Sequence, residues 1–62
     1  MKTGKTARFK ITWEIQNDYG EWFKDWLDNA GMGFEHWEAE QIRRQLYDNN
    51  LGRIRNVNIV RI

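Results

Sequence analysis

Asn17-Asp18-Tyr19-Gly20-Glu21-Trp22-Phe23-Lys24-Asp25-Trp26-Leu27-Asp28-Asn29-Ala30 is the stretch on which the topology turns. It satisfies two periodicities at once. As a helix over 18–30, Tyr19, Trp22, Phe23, Trp26, Leu27 and Ala30 fall at helical spacings and form one apolar stripe. Asp18 and Glu21 then have the spacing of a capping box, and Ala30-Gly31-Met32 that of a helix C-terminus. As a strand, Asn17-Asp18-Tyr19-Gly20 is a hairpin turn in which Gly20 takes positive φ, and Glu21–Trp26 pairs back on what precedes it. Gly20 weakens a first helical turn and favours the hairpin. The doubly capped stripe favours the helix, and the helix is the preferred reading.

The flanks are less ambiguous. Residues 7–15 alternate, with Ala7, Phe9, Ile11, Trp13 and Ile15 on one face and Arg8, Lys10, Thr12 and Glu14 on the other, the pattern of a half-buried strand. Residues 34–49 read as a helix: Glu35, Glu38 and Glu40 sit early, Arg43 and Arg44 late, and Ala39, Ile42 and Leu46 share a face. Residues 53–62 are rich in β-formers and read as a second strand, and a change of phase between Ile59 and Val60 points to a bulge there or to a strand buried on both faces. The expected core is Phe9, Ile11, Trp13, Ile15, Ile42, Leu46 and Ile59.

The expected fold is therefore a single small α+β domain over residues 1–62. Its order is strand–helix–helix–strand, with an antiparallel sheet backed by helices. The hairpin alternative is strand–strand–helix–strand, a three-stranded antiparallel sheet with one helix and the first strand central. A two-stranded sheet is marginal, and a chain of 62 residues without cysteine has no disulfide to supplement its core. Both points lead to the expectation of a homodimer formed through a sheet edge. In element order alone, strand–helix–helix resembles the ribbon-helix-helix DNA-binding dimers, whose pattern has no counterpart of the closing strand at 53–62.

Charge is sorted into blocks. Residues 1–10 carry Lys2, Lys5, Arg8 and Lys10 and no acid; residues 14–40 carry eight acids against Lys24; residues 41–62 carry five arginines against Asp48. A net charge of +1 thus conceals basic ends around an acidic middle, and ends that meet in space give the fold a basic and an acidic side. Two partner classes follow. The acidic helical side, with Trp37 flanked by Glu35, His36 and Glu38, suits docking to a protein partner in the manner of an inhibitor or adaptor, because tryptophan anchors binding hot spots. The alternative is nucleic-acid binding through a basic sheet face made of Arg8, Lys10, Arg53, Arg55 and Arg61, for which the pI of 8.1 is modest.

Catalysis has little to stand on. Serine and cysteine are absent and His36 is the sole histidine, which removes the usual nucleophile schemes. His36 and Glu40 provide two metal ligands without a second motif, and Gly31-Met32-Gly33 lacks the lysine of a phosphate loop. The expectation is a non-enzymatic, cofactor-free and metal-free binding protein. With no apolar run of membrane-spanning length and no signal-peptide pattern, the expected location is cytoplasmic and no membrane partner is expected.

Overall fold

The computed structural model describes residues 7–62; Lys2 and Lys5 of the first basic block lie outside the described residues. The order is β1 (Phe9–Gln16), β2 (Trp22–Leu27), α1 (His36–Asn49) and β3 (Ile54–Arg61). The three strands form an antiparallel sheet in the order β2-β1-β3. Since β2 and β3 both run against β1, they are parallel to each other, and α1 is the crossover of a split β-α-β unit. The α+β class stands, in its strand–strand–helix–strand form.

The helix expected over 18–30 does not form, and local turn chemistry explains why. Asn17 donates its N–H to the Glu21 carbonyl (2.9 Å) and accepts from Gly20 N–H at 3.1 Å. Its side-chain oxygen also accepts from the N–H groups of Tyr19 and Glu21, both at 2.9 Å. Gly20 stands at φ +83°. This is a three-residue hairpin loop with its left-handed position filled by glycine and its amides held by an asparagine. Once the loop closes, Trp22 to Leu27 lie opposite Gln16 to Ile11 and their apolar residues split between two faces. The element order shared with ribbon-helix-helix proteins disappears with the helix.

The link from β2 to α1 is equally specified. Asn29 and Ala30 adopt consecutive left-handed conformations (φ 55° and 57°), and the Asp28 carbonyl accepts from the N–H groups of Gly31 and Gly33 at 3.1 and 2.8 Å. Gly33 is buried against β1: a β-carbon there would lie 2.7 Å from Arg8 Cβ and 2.9 Å from Ile62 Cδ1. That closeness lets Phe34 exchange both backbone hydrogen bonds with Phe9.

Helix α1 starts where Glu35 N–H donates to Glu38 Oε1 at 3.0 Å. It lays Ala39, fully buried, over Ile11, Trp13 and Ile54, with Ile42 and Leu46 packed alongside. All seven expected core residues lie in this cluster or against it. The helix packs on β1 and β3, and its backbone stays clear of β2.

The bulge in β3 is not between Ile59 and Val60. It lies opposite Trp13, where Asn56 and Val57 occupy the space between the pairs Thr12↔Asn58 and Glu14↔Arg55. Asn56 takes φ 54°, which asparagine tolerates better than most residues. One extra residue reverses the parity of everything after it, with direct consequences for the placement of the arginines.

Candidate functional site

Because α1 packs on β1 and β3, it leaves β2 uncovered on the helix side. Cross-strand partners share a face, so Phe23 (opposite Ile15) and Leu27 (opposite Ile11) lie on the helix side. Trp22, Lys24 and Trp26, opposite Gln16, Glu14 and Thr12, lie on the open side. Phe23 is 52% and Trp26 60% exposed, and Leu27 is also exposed. β2 is an edge strand as well. Asn17 and Glu21 form a hydrogen-bonded pair, so by antiparallel alternation Trp22, Lys24 and Trp26 aim their backbone groups outward. The outward N–H of Trp26 is already taken, since it donates to Asp25 Oδ1 at 2.8 Å. Asp25 therefore sits at the margin of the sheet between its two faces, one way a protein blunts a free edge.

The open side is a shallow depression of about 650 Å³ whose lining includes Lys10, Thr12, Lys24, Trp26, Asn56 and Asn58. Beside it Arg55 reaches over the sheet: its Nε donates to Glu14 Oε1 at 2.6 Å while its guanidinium lies 4.0 Å from the Trp22 ring centroid. Asn56 Nδ2 donates to the same Glu14 oxygen at 3.2 Å. The Arg55 hydrogen bond is the main reason the Glu14 carboxyl is held below its ordinary pKa, against the opposing effect of burial; the charge of Arg55, the Asn56 hydrogen bond and the charge of Lys24 add to the lowering.

The five cations proposed for a basic face do not come together. Arg55 is on the open side but is engaged by Glu14 and Trp22. Arg53 precedes β3 and pairs with Asp18 of the hairpin loop at 3.0 Å. Arg61 lies opposite Phe9, on the helix side, because of the bulge. Arg8 precedes β1, where its carbonyl accepts from Ile62 N–H. Lys10, opposite Val60, remains on the open side and is joined by Lys24, which the helical reading had placed elsewhere.

The four residues proposed for protein docking are neighbours at the start of α1, and three have structural work there. Glu35 and Glu38 make the cap. His36 packs edge-on against Phe9 (ring centroids 5.2 Å apart) and faces Glu40 at 3.7 Å, while Glu40 holds Arg43 at 2.6 Å. Trp37 is 57% exposed and, two positions from the buried Ala39, lies on the side of the helix away from the sheet. Phe23, Trp26 and Leu27 also fit a helical stripe, which hides this surface in the sequence; the signal that reveals it is the Asn17–Gly20 loop, which converts the stripe into two faces.

Among the described residues no cluster of three or more His, Cys, Asp or Glu side chains is placed to hold a metal ion. Nor is any helix among them long and apolar enough to cross a membrane. Comparison of the chain with protein families, with curated proteins and with solved structures finds no match.

Proposed function

We propose that this chain is a small non-enzymatic binding protein that docks onto a protein partner, as an inhibitor or adaptor does, through the helix side of β2. The observation that carries this reading is the pair Phe23 and Leu27, exposed on a strand that α1 leaves uncovered while their cross-strand partners Ile15 and Ile11 belong to the core. Both side chains are already about half covered, so completing their burial is worth about half of the roughly 1.5–3 kcal/mol of a fully exposed one, about 1 kcal/mol each. Asp25 at the strand margin and Asp28 just beyond it give the patch an acidic border, which matches an apolar partner surface with a cationic rim. The capped Trp26 N–H removes one of the outward donors of β2 and favours packing on its side-chain face over addition of a partner strand.

The test is capture of partners from the native host with wild type, the double variant Phe23→Asp/Leu27→Asp and Trp37→Ala, each first shown by circular dichroism to be folded. Loss of a specific partner in the double variant alone supports the reading. Loss in Trp37→Ala alone moves the interface to the outer side of α1, and an identical partner set in all three overturns it.

The nucleic-acid reading has less behind it. Its support is the pair Lys10 and Lys24 beside the exposed Trp26, since the arginines it relied on are paired or dispersed.

A further inference from the structure

The open side of the sheet is separate from the docking patch and has different chemistry. Trp26 of β2, Thr12 of β1 and Asn58 of β3 are consecutive cross-strand partners, so an indole, a hydroxyl and a carboxamide stand in one rank straight across the sheet. Neighbouring members of such a rank are about 5 Å apart, and the three together span about the length of two fused or linked six-membered rings. Asn58 Nδ2 donates to the Asn56 carbonyl at 3.0 Å, which fixes the carboxamide and leaves its oxygen available as an acceptor. The depression holding this rank, about 650 Å³, lies within the size range of small-molecule sites.

Charge decides what kind of ring fits. Four ionisable groups line the depression, and Lys10 and Lys24 are balanced by Glu14 and Asp25. The adjacent Arg55 is already bonded to Glu14. With Arg55 counted, three cations face two acids, a net charge of only +1 and a weak field for a polyanion, while the lining is rich in groups that donate and accept hydrogen bonds next to a flat, exposed, apolar ring.

We propose that the open sheet face is a binding site for neutral oligosaccharides, with one sugar ring stacked by its apolar C–H face on Trp26 and its hydroxyls held by Thr12, Asn58 and the flanking Lys10 and Lys24. Tryptophan suits this role because it presents a large apolar plane with a polar edge. Its place on a strand, opposite Thr12 of the central strand, supplies the rigidity that a weakly bound hydroxylated ligand needs.

Nitrogen-15 NMR of the whole chain tests this. The probes are three neutral trisaccharides, maltotriose, cellotriose and N,N′,N″-triacetylchitotriose, with a hexathymidine oligonucleotide at low salt as the comparison arm. The expected result is a saturable shift of the Trp26 indole N–H and the Asn58 side-chain amide with at least one trisaccharide. That shift should be insensitive to added salt, and Trp26→Ala should weaken binding about tenfold or more, equivalent to about 1.4 kcal/mol. Thr12→Val keeps the strand and the shape, and should weaken binding without altering the rest of the spectrum. Shifts with hexathymidine alone, abolished by salt, would replace the proposal with single-stranded nucleic-acid binding. No shift at these residues with any trisaccharide at millimolar concentration overturns it, whether or not the docking reading survives.

Discussion

Arg55 of β3 and Trp22 of β2 meet over the open side of the sheet, guanidinium 4.0 Å from the ring centroid, with the central strand between their backbones. The same guanidinium is bonded to Glu14 of that central strand. One side chain thus ties all three strands on the face that α1 does not support, and its planar form is what allows stacking and hydrogen bonding together.

The contact should be measurable as a coupling. In a double-mutant cycle of Arg55→Met and Trp22→Leu, read by urea unfolding, the coupling energy is expected at about 0.5–1 kcal/mol. Arg55→Lys should lose most of it, since lysine cannot offer a face to the ring while bonding Glu14. Strict additivity would show that the stacking has no energetic weight.

Glu14 gives the fold an acid limb. Its carboxyl ionises more easily in the folded chain than in the unfolded one, whose reference pKa is 4.5, and the hydrogen bond from Arg55 is the chief cause. A group lowered in this way stabilises the folded state above the unfolded value, and the contribution is lost as pH falls through the folded value. Unfolding midpoints collected from about pH 7 down to about pH 3 should therefore decline less steeply at the acid end in Glu14→Gln than in wild type. Parallel profiles would remove Glu14 from the acid response.

Two substitutions in the β2–α1 link should act in opposite directions. Ala30 holds φ 57°, a conformation that costs a side-chain-bearing residue about 1–2 kcal/mol, so Ala30→Gly should stabilise by about 0.5–1 kcal/mol after glycine's larger unfolded-state entropy is counted. Gly33→Ala combines φ 77° with a β-carbon placed against Arg8 and Ile62, and should destabilise by about 2 kcal/mol or more. Thermal midpoints of the two variants decide it; shifts of the same sign would mean that the link is not held in this conformation.

Much of the fold is legible along the chain. The alternation of Phe9, Ile11, Trp13 and Ile15 leads directly to a strand and to the sheet side of the core, and the shared face of Ala39, Ile42 and Leu46 marks α1, whereas Arg43 and Arg44 fall in mid-helix and its last turn carries no cation. The stretch from Trp22 to Leu27 is harder, because pairs of apolar residues four apart satisfy a helical stripe and also divide evenly over the faces of a strand. Hydrophobic pattern does not separate those cases. The asparagine side chain at 17 does, by capturing two amides of the loop. The bulge was misplaced for a related reason: Ile59-Val60 breaks the apolar alternation visibly, whereas the real irregularity sits at a polar residue, Asn56, whose only mark is its tolerance of positive φ. Candidate site residues inherit both errors. Trp26 and Lys24 belong to a strand where the helical pattern puts them on a helix, and Arg61 lies on the face opposite the one that its parity with Arg55 implies.

The order β2-β1-β3 has a kinetic consequence. β1 acquires one partner from its immediate neighbour through a short loop, an event on the scale of about 1–10 μs for a hairpin. Its other partner comes from nearly the far end of the described chain, Phe9 meeting Arg61, and that closure must wait for the loop entropy to be overcome. Until it happens the hairpin has no Ile59 beside Ile11 and no Ile54 beside Ile15, and α1 has only half of its floor. The strand that organises the whole domain is thus paired on one side by a local hairpin and on the other by a closure spanning the described chain, and loop entropy makes the second the slower of the two to form.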